Sequence, residues 1–119
     1  MPRVKRGVTA HRRHKKVLAL TKGHKGTKHA LYRRAHESML KSLSYAYFHR
    51  RERKGDMRRL WIMRVNAASR AQGLTYGQFM DGLRKSGVEI NRKMLADMAV
   101  REPESFANLV TIAKGKIQG

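Results

Sequence analysis

The sequence has 119 residues, with 28 Lys and Arg against 8 Asp and Glu, and a formal net charge of +20 at pH 7. It contains no cysteine, which excludes disulfide bonds and thiolate metal sites, and no apolar run approaches the ~18 residues of a membrane span. The basic N-terminus lacks the apolar segment of a signal peptide, so we expect a cytoplasmic protein of a bacterium or its organellar equivalent.

The charge is distributed unevenly along the chain. Residues 1–60 hold 19 Lys and Arg and 3 Asp and Glu, a net charge of +16, whereas residues 61–119 hold 9 and 5, a net charge of +4. A run of Lys and Arg is usually a solvated surface, but repulsion this dense is destabilising without counter-charge. The asymmetry predicts a polyanionic partner, and nucleic acid fits best because each neutralised phosphate releases condensed counterions.

The first predicted element is a short helix. Residues 1–8 have no periodicity and are expected to be unstructured alone in water. Thr9 is the predicted N-cap of a helix that ends near Leu20. Gly23 and Gly26 then predict a break where the backbone turns or approaches a phosphate.

A long helix is predicted next, from an N-cap at Thr27 to about residue 71, with Gly73 as its stop. Gly55 interrupts the pattern only weakly, so the helix is expected to be nearly continuous, with a bend there as the alternative. Apolar residues recur along its first half at helical spacing: Tyr32, Ala35, Met39, Leu40, Leu43, Ala46 and Tyr47.

Three shorter helices are predicted after Gly73. Thr75 and Gln78 form a capping box for the first, which stops at Gly87. Asn91 caps the second, and Pro103 opens the third at the first helical position. The aromatic residues expected in the core are Trp61, Tyr76, Phe79 and Phe106.

The predicted fold class is therefore all-α, with a long basic helical N-terminal extension and a small C-terminal helical bundle. The predicted division is a basic extension over residues 1–56, made of a short helix, a glycine turn and a long helix, and a globular helical domain over residues 57–119. Residues 58–70 join them, with Leu60, Trp61 and Val65 expected to dock in the domain while neighbouring arginines face the nucleic acid.

The candidate nucleic-acid-binding residues are mostly the cations of the extension and of this joint. Asn66 joins them, as do Arg92 and Lys93, because a helix N-terminus with two cations favours a phosphate. The full predicted set is Arg3, Lys5, Arg6, Arg12, Arg13, His14, Lys15, Lys16, Lys22, Lys25, Arg33, Arg34, Arg50, Arg51, Arg53, Lys54, Arg58, Arg59, Arg64, Asn66, Arg70, Arg92 and Lys93.

Aromatic residues lie between these cations and are able to stack on unpaired bases. For Tyr32 and Phe48, packing within the protein is an equally good explanation. All six histidines lie in the basic half, but metal binding is not expected because carboxylates are scarce and cysteine is absent. No catalytic constellation appears, so we predict no enzymatic activity, no metal and no cofactor.

Segments spread over the whole chain resemble one known family, the L20 family of bacterial large-subunit ribosomal proteins. Two sites depart from the family pattern. One is His24, where the family usually has another aromatic residue; the other is the segment Gly55-Asp56-Met57, which raises the chance of a bend at Gly55. The segments that carry the resemblance are Met1-Pro-Arg-Val-Lys-Arg-Gly-Val, Arg13-His14-Lys15-Lys16-Val17-Leu18, Lys22-Gly23, Tyr45-Ala46-Tyr47, Arg58-Arg59-Leu60-Trp61-Ile62, Arg64-Val65-Asn66-Ala67-Ala68, Gly82-Leu83-Arg84-Lys85, Asn91-Arg92-Lys93 and Leu95-Ala96.

The resemblance implies a structural constituent of the large subunit that threads its extension into large-subunit rRNA and acts early in subunit assembly. It also implies neighbouring ribosomal proteins as partners and, in some members, repression of the protein's own operon through its messenger RNA. No homo-oligomer is expected.

The alternative from the residues alone is a DNA-binding regulator or nucleoid protein that uses the short helices as a helix-turn-helix. A membrane-active peptide is disfavoured because the apolar stripe of the basic extension is thin.

Overall fold

The computed structural model describes residues 3–118, and this part of the chain is helical without strands. The α-helices are α1 (Gly7–Leu20), α2 (Tyr32–Ala71), α3 (Tyr76–Lys85), α4 (Arg92–Arg101) and α5 (Pro103–Gln118), with a 3₁₀ helix at Gly26–His29. The predicted all-α class is confirmed.

Contacts divide the chain into two compact units, Met1–Arg51 and Glu52–Gly119, and helix α2 contributes to both. We call them the first unit and the second unit. The predicted division of function between residues 1–56 and 57–119 stays a prediction.

Helix α1 begins earlier than expected. It starts at Gly7, and Arg6 occupies the N-cap position without a side-chain hydrogen bond. Thr9 lies inside the first turn, where its hydroxyl donates to the Arg6 carbonyl oxygen at 3.0 Å. The prediction that Thr9 is the N-cap is therefore wrong, because its hydroxyl bonds back to the preceding turn instead of accepting from a later N–H.

The predicted break between α1 and α2 is confirmed. Gly23 and Gly26 have φ of 85° and 71°, a left-handed conformation that a side chain disfavours. The predicted N-cap at Thr27 is wrong, because this residue lies within the 3₁₀ helix and its carbonyl oxygen accepts from the Leu31 N–H at 2.8 Å. Helix α2 consequently begins at Tyr32.

The first unit has a small interior. Its buried residues in the described part are Val17, Thr21 and Ala35, and the Thr21 hydroxyl is satisfied by main-chain carbonyl oxygens of α1. The apolar stripe predicted along α2 is covered only at its start, since Leu40 is 55% exposed and Leu43 is 51% exposed. This unit therefore buries little apolar surface of its own.

Helix α2 passes through Gly55 as one element, so the prediction of a continuous helix is confirmed from Tyr32 onward. It ends at the predicted stop. Gly73 has φ of 92°, its N–H donates to the Arg70 carbonyl at 3.0 Å, and the following N–H donates to the Ser69 carbonyl at 2.9 Å. These two bonds form a Schellman motif, which satisfies carbonyls at the helix end.

The helix boundaries of the second unit follow the predicted capping signals. The Gln78 N–H donates to Thr75 Oγ1 at 3.3 Å, and the Thr75 N–H donates to Gln78 Oε1 at 3.2 Å, which is the capping box. Helix α3 ends ahead of Gly87. Asn91 Oδ1 accepts the N–H three residues on at 2.9 Å, and Pro103 opens α5.

The core of the second unit lies among its four helical segments. Helices α3 and α5 approach closely at Gly82, where a Cβ would lie 2.7 Å from the Ala113 Cβ. The Phe79 and Phe106 rings are 5.1 Å apart, and Trp61 packs half-buried against the cluster. The buried members are Val65, Phe79, Leu83, Leu95, Ala96, Phe106, Val110 and Ala113.

Candidate nucleic-acid interface

The predicted binding residues are accessible. All of them are exposed except His14, Asn66 and Arg92, which are half-buried. Exposure is a requirement for contact with a polyanion, and these residues meet it. The individual assignments remain predictions.

Most of the predicted cations have no carboxylate close by. In residues 3–118 the ion pairs that involve them are Arg34–Glu37 at 3.5 Å and Arg59–Asp56 at 3.4 Å. Both pairs are exposed, and exposed pairs contribute only ~0.2–1 kcal/mol. The positive charge of the described surface is therefore largely uncompensated within the chain, so an external anion has to balance it.

Some predicted residues come together in the first unit. Arg6 and Arg13 lie seven residues apart and line a groove of ≈ 660 Å³ at the start of α1, with Thr9 between them. The main chain at Gly7 is open there, since no atom lies within 4 Å of where a Cβ would be. Two guanidinium groups beside open backbone form a surface suited to a phosphate.

His14 has a structural contact as well. Its ring stacks on Tyr32 with centroids 3.8 Å apart and an interplanar angle of 22°, which joins α1 to α2. Of the two explanations left open for Tyr32, packing is the one observed. Phe48 is different: it is 55% exposed, and its ring lies edge-on to that of Tyr47, with 5.6 Å between the ring centroids.

The second unit brings other predicted residues together. Arg64 and Lys93 line one groove of ≈ 510 Å³ with Trp61, and the carboxylates of Asp97 and Glu102 lie on the same groove. The mixed charge makes this surface less selective for an anion than the arginine groove at the start of α1. It does, however, place the only tryptophan of the chain beside two cations.

Other side chains are held in place by neutral partners. Arg92 Nε donates to the Tyr76 hydroxyl at 2.6 Å, and Arg70 Nε donates to Asn66 Oδ1 at 3.0 Å. At the start of α4 the Asn91 side chain already accepts one of the N–H groups that the sequence suggested for a phosphate. A phosphate there would meet the remaining N–H groups and Lys93.

Sequence reasoning missed one grouping. Lys28, Lys41 and Tyr45 line a groove of ≈ 730 Å³ together with the predicted residue Arg34. The signal for part of it was present, because Lys41, Tyr45 and His49 are spaced four residues apart and so lie on one helix face. Lys28 could not be assigned to that face without the fold.

Metal-binding clusters and membrane-spanning helices are both absent from the described residues. No three His, Asp or Glu side chains of residues 3–118 converge in a way that would hold a metal ion. None of the helices in this range is long and apolar enough to span a membrane.

Comparison with known proteins gives a consistent result. Residues 3–109 match the family model for ribosomal protein L20. Large ribosomal subunit protein bL20 of Dehalococcoides mccartyi is 64% identical over 107 residues, covering 90% of this chain and 90% of the relative. The bL20 proteins of Moorella thermoacetica and Acidithiobacillus ferrooxidans are 61% and 53% identical over 117 residues, which is 98% of this chain and 97% and 98% of those relatives. The chain therefore belongs to the ribosomal protein L20 family.

Proposed function

We propose that this protein is a structural constituent of the bacterial large ribosomal subunit, where it binds large-subunit rRNA directly and promotes early assembly. The observation that carries the proposal is the exposed, largely uncompensated positive charge of the first unit, together with its small interior. A chain of net charge +20 that buries few apolar residues in one unit gains order from a polyanion.

The proposed mechanism separates affinity from organisation. Cations such as Arg12, Arg33 and Arg53 supply affinity through phosphates, since each contact releases counterions. Burial in folded RNA then takes the place of the missing hydrophobic core in the first unit. The second unit has its own core, so it provides a stable body from which RNA segments can be held together for later proteins.

Family membership bears on the remaining aspects of function. The L20 family consists of structural ribosomal proteins, which supports the prediction that the chain is not an enzyme. The relatives are named large-subunit proteins of bacteria, so we propose the cytoplasmic ribosome as the location and neighbouring ribosomal proteins as further partners. The same cations would accept a messenger RNA segment that folds like the rRNA site, which is the proposed basis for repression of the protein's own operon.

The direct test is a filter-binding titration of the full chain with a large-subunit rRNA transcript at several salt concentrations. If about ten phosphates are contacted, log K should fall with log salt at a slope of roughly −7 to −9. A slope near zero would refute phosphate-directed binding. Competition with duplex DNA separates the alternative of a DNA-binding regulator, which requires a clear preference for the duplex.

A matched pair of variants sharpens this test. Arg53→Gln removes an exposed cation of the predicted set and should reduce the magnitude of the salt slope by about 1. Lys85→Gln removes an exposed cation outside that set, one that pairs with Asp81 at 3.0 Å, and should leave the slope unchanged. Equal effects of the two substitutions would contradict the assignment of the binding surface.

Crosslinking in purified ribosomal particles would identify the RNA neighbours, and addition of the leader of the chain's own messenger RNA as a competitor would test autoregulation. A leader that fails to displace the rRNA transcript would exclude that part of the proposal. The outcome leaves the rRNA-binding proposal unaffected.

A further inference from the structure

The groove lined by Lys28, Arg34, Lys41, Tyr45 and His49 combines an accessible aromatic face with cations. We call it the Tyr45 groove. Its volume of ≈ 730 Å³ falls within the range of about 300–1,000 Å³ that is typical of sites for small organic ligands. Three cations and one carboxylate, Glu37, line it, so its charge favours an anionic ligand.

Local contacts build this groove from two chain segments of the first unit. His24 Nδ1 and Ser38 Oγ share a hydrogen bond of 2.6 Å, which ties the glycine-containing turn to α2. His29 Nδ1 is 3.0 Å from the His24 carbonyl oxygen, so the 3₁₀ helix is held against the same turn. These bonds keep Lys28 beside α2, although it lies thirteen residues before Lys41 in the sequence.

Tyr45 presents its ring to solvent in a defined orientation. It is 51% exposed, and its near-parallel neighbour His49 lies 6.0 Å away between ring centroids. This separation exceeds the 3.8 Å of the close stack between His14 and Tyr32, so part of the Tyr45 face is not covered by the imidazole. The Lys41 ammonium lies over the Tyr45 ring, 5.0 Å from its centroid, so a stacking base would take the place of this cation–π contact and leave the ammonium free to meet a phosphate.

We propose that the Tyr45 groove binds one unstacked nucleotide of the RNA, with its base on the Tyr45 ring and the two phosphates that flank it at Lys41 and Lys28. The inference rests on the proposed function and deepens it by assigning a base contact. Bases in a paired A-form helix are out of reach of such a side chain, so the nucleotide must belong to a loop, a bulge or a single strand. Protein partners fit less well, because lysine is depleted at protein interfaces.

The discriminating experiment measures binding of the full chain to a large-subunit rRNA transcript for three variants. Loss of one base stack should weaken binding of Tyr45→Leu between about fivefold and about a hundredfold. The salt slope should stay unchanged, because stacking on tyrosine neutralises no phosphate. Tyr45→Phe keeps the stacking face and should bind like the original chain. Lys41→Gln should weaken binding and also reduce the magnitude of the slope by about 1.

Tyr47→Leu is the matched control. Tyr47 is 46% exposed on the same helix and has the Arg51 guanidinium 4.6 Å from its ring, but it does not line the groove. Its substitution should weaken binding clearly less than Tyr45→Leu does, because it removes a contact to Arg51 and no face of the groove. Both positions are exposed, so we expect the variants to keep the helix content of the original chain. Far-UV circular dichroism checks this.

Several outcomes would overturn the inference. Tyr45→Leu binding as tightly as the original chain would exclude the base contact, and equal losses for Tyr45→Leu and Tyr47→Leu would show a general effect of α2. A photoreactive benzoylphenylalanine at position 45 should crosslink to unpaired nucleotides; crosslinks confined to paired helices would refute the proposal. Failure of the proposed function would look different from failure of the base contact. In that case binding of the original chain itself would show no salt dependence.

Discussion

Replacing Gly82 by alanine should destabilise the second unit, because this residue is where α3 and α5 meet. A Cβ there would lie 2.7 Å from both the Cβ and the carbonyl oxygen of Ala113 and 2.8 Å from its Cα. Two of these atoms belong to the main chain, so relief requires the helices to move apart. Overpacking of a core typically costs about 1–3 kcal/mol, and the helix propensity of alanine offsets less than about 1 kcal/mol.

The expected net loss is about 1–2 kcal/mol, which corresponds to a decrease of about 4–16 °C in Tm for a domain of this size. The fluorescence of Trp61, the only tryptophan, reports this transition because the side chain packs against the core of the same unit. A Tm equal to or above that of the original chain would refute the close approach of α3 and α5.

Gly77→Ala is the matched control in the same helix. Beyond the adjacent residues and the main chain of its own helix, no atom lies within 4 Å of the Cβ position at Gly77, so the substitution meets open space. The gain in helix propensity should then stabilise the unit by about 0.5 kcal/mol, and Tm should rise by a few degrees. The same substitution, glycine to alanine, is thus expected to raise Tm at one position and to lower it at another five residues away.

Three further predictions concern helix ends, helix continuity and local stability. Asn91→Ala removes the acceptor for an N–H at the start of α4 and should cost about 1 kcal/mol in thermal unfolding, whereas Asn108→Ala at an exposed position inside α5 should cost nothing. Gly55→Ala enters open space in α2 and should raise helix stability by up to about 1 kcal/mol; a lower melting temperature would indicate that the helix needs to deform there. In the isolated protein, amide hydrogen exchange should be fast through about residue 50 and slow across residues 60–117, and equal protection in both regions would contradict the difference in core size.

The helix boundaries that the sequence predicted correctly depend on short-range chemistry. Thr75 with Gln78, and Asn91 with the first turn of α4, form hydrogen bonds within three residues, so their partners are visible in the sequence. Thr9 and Thr27 offered the same N-cap signal and were misassigned. A threonine hydroxyl can bond back to the preceding turn, as Thr9 does, and nothing local distinguishes that choice from capping.

The start of α2 shows why local signals were insufficient in the first unit. The residues before Tyr32 form a 3₁₀ helix, and contacts from His24 to Ser38 hold the turn that precedes it. Those residues are fourteen positions apart, so their meeting depends on how α1, the turn and α2 pack. The same packing brings Lys28 to Tyr45, which is why the Tyr45 groove could not be found from spacing alone.

The sequence by itself determined the helical class and predicted a polyanionic partner, because periodicity, caps and net charge are properties of residues taken in order. It also indicated the core of the second unit through Phe79 and Phe106. Only the tertiary structure decided how far along α2 the apolar residues are covered: Val65 is buried, as the sequence predicted, while Leu43, on the same helix, is 51% exposed. The physical reason is that burial requires a second surface, and within each unit only the fold determines which surfaces meet.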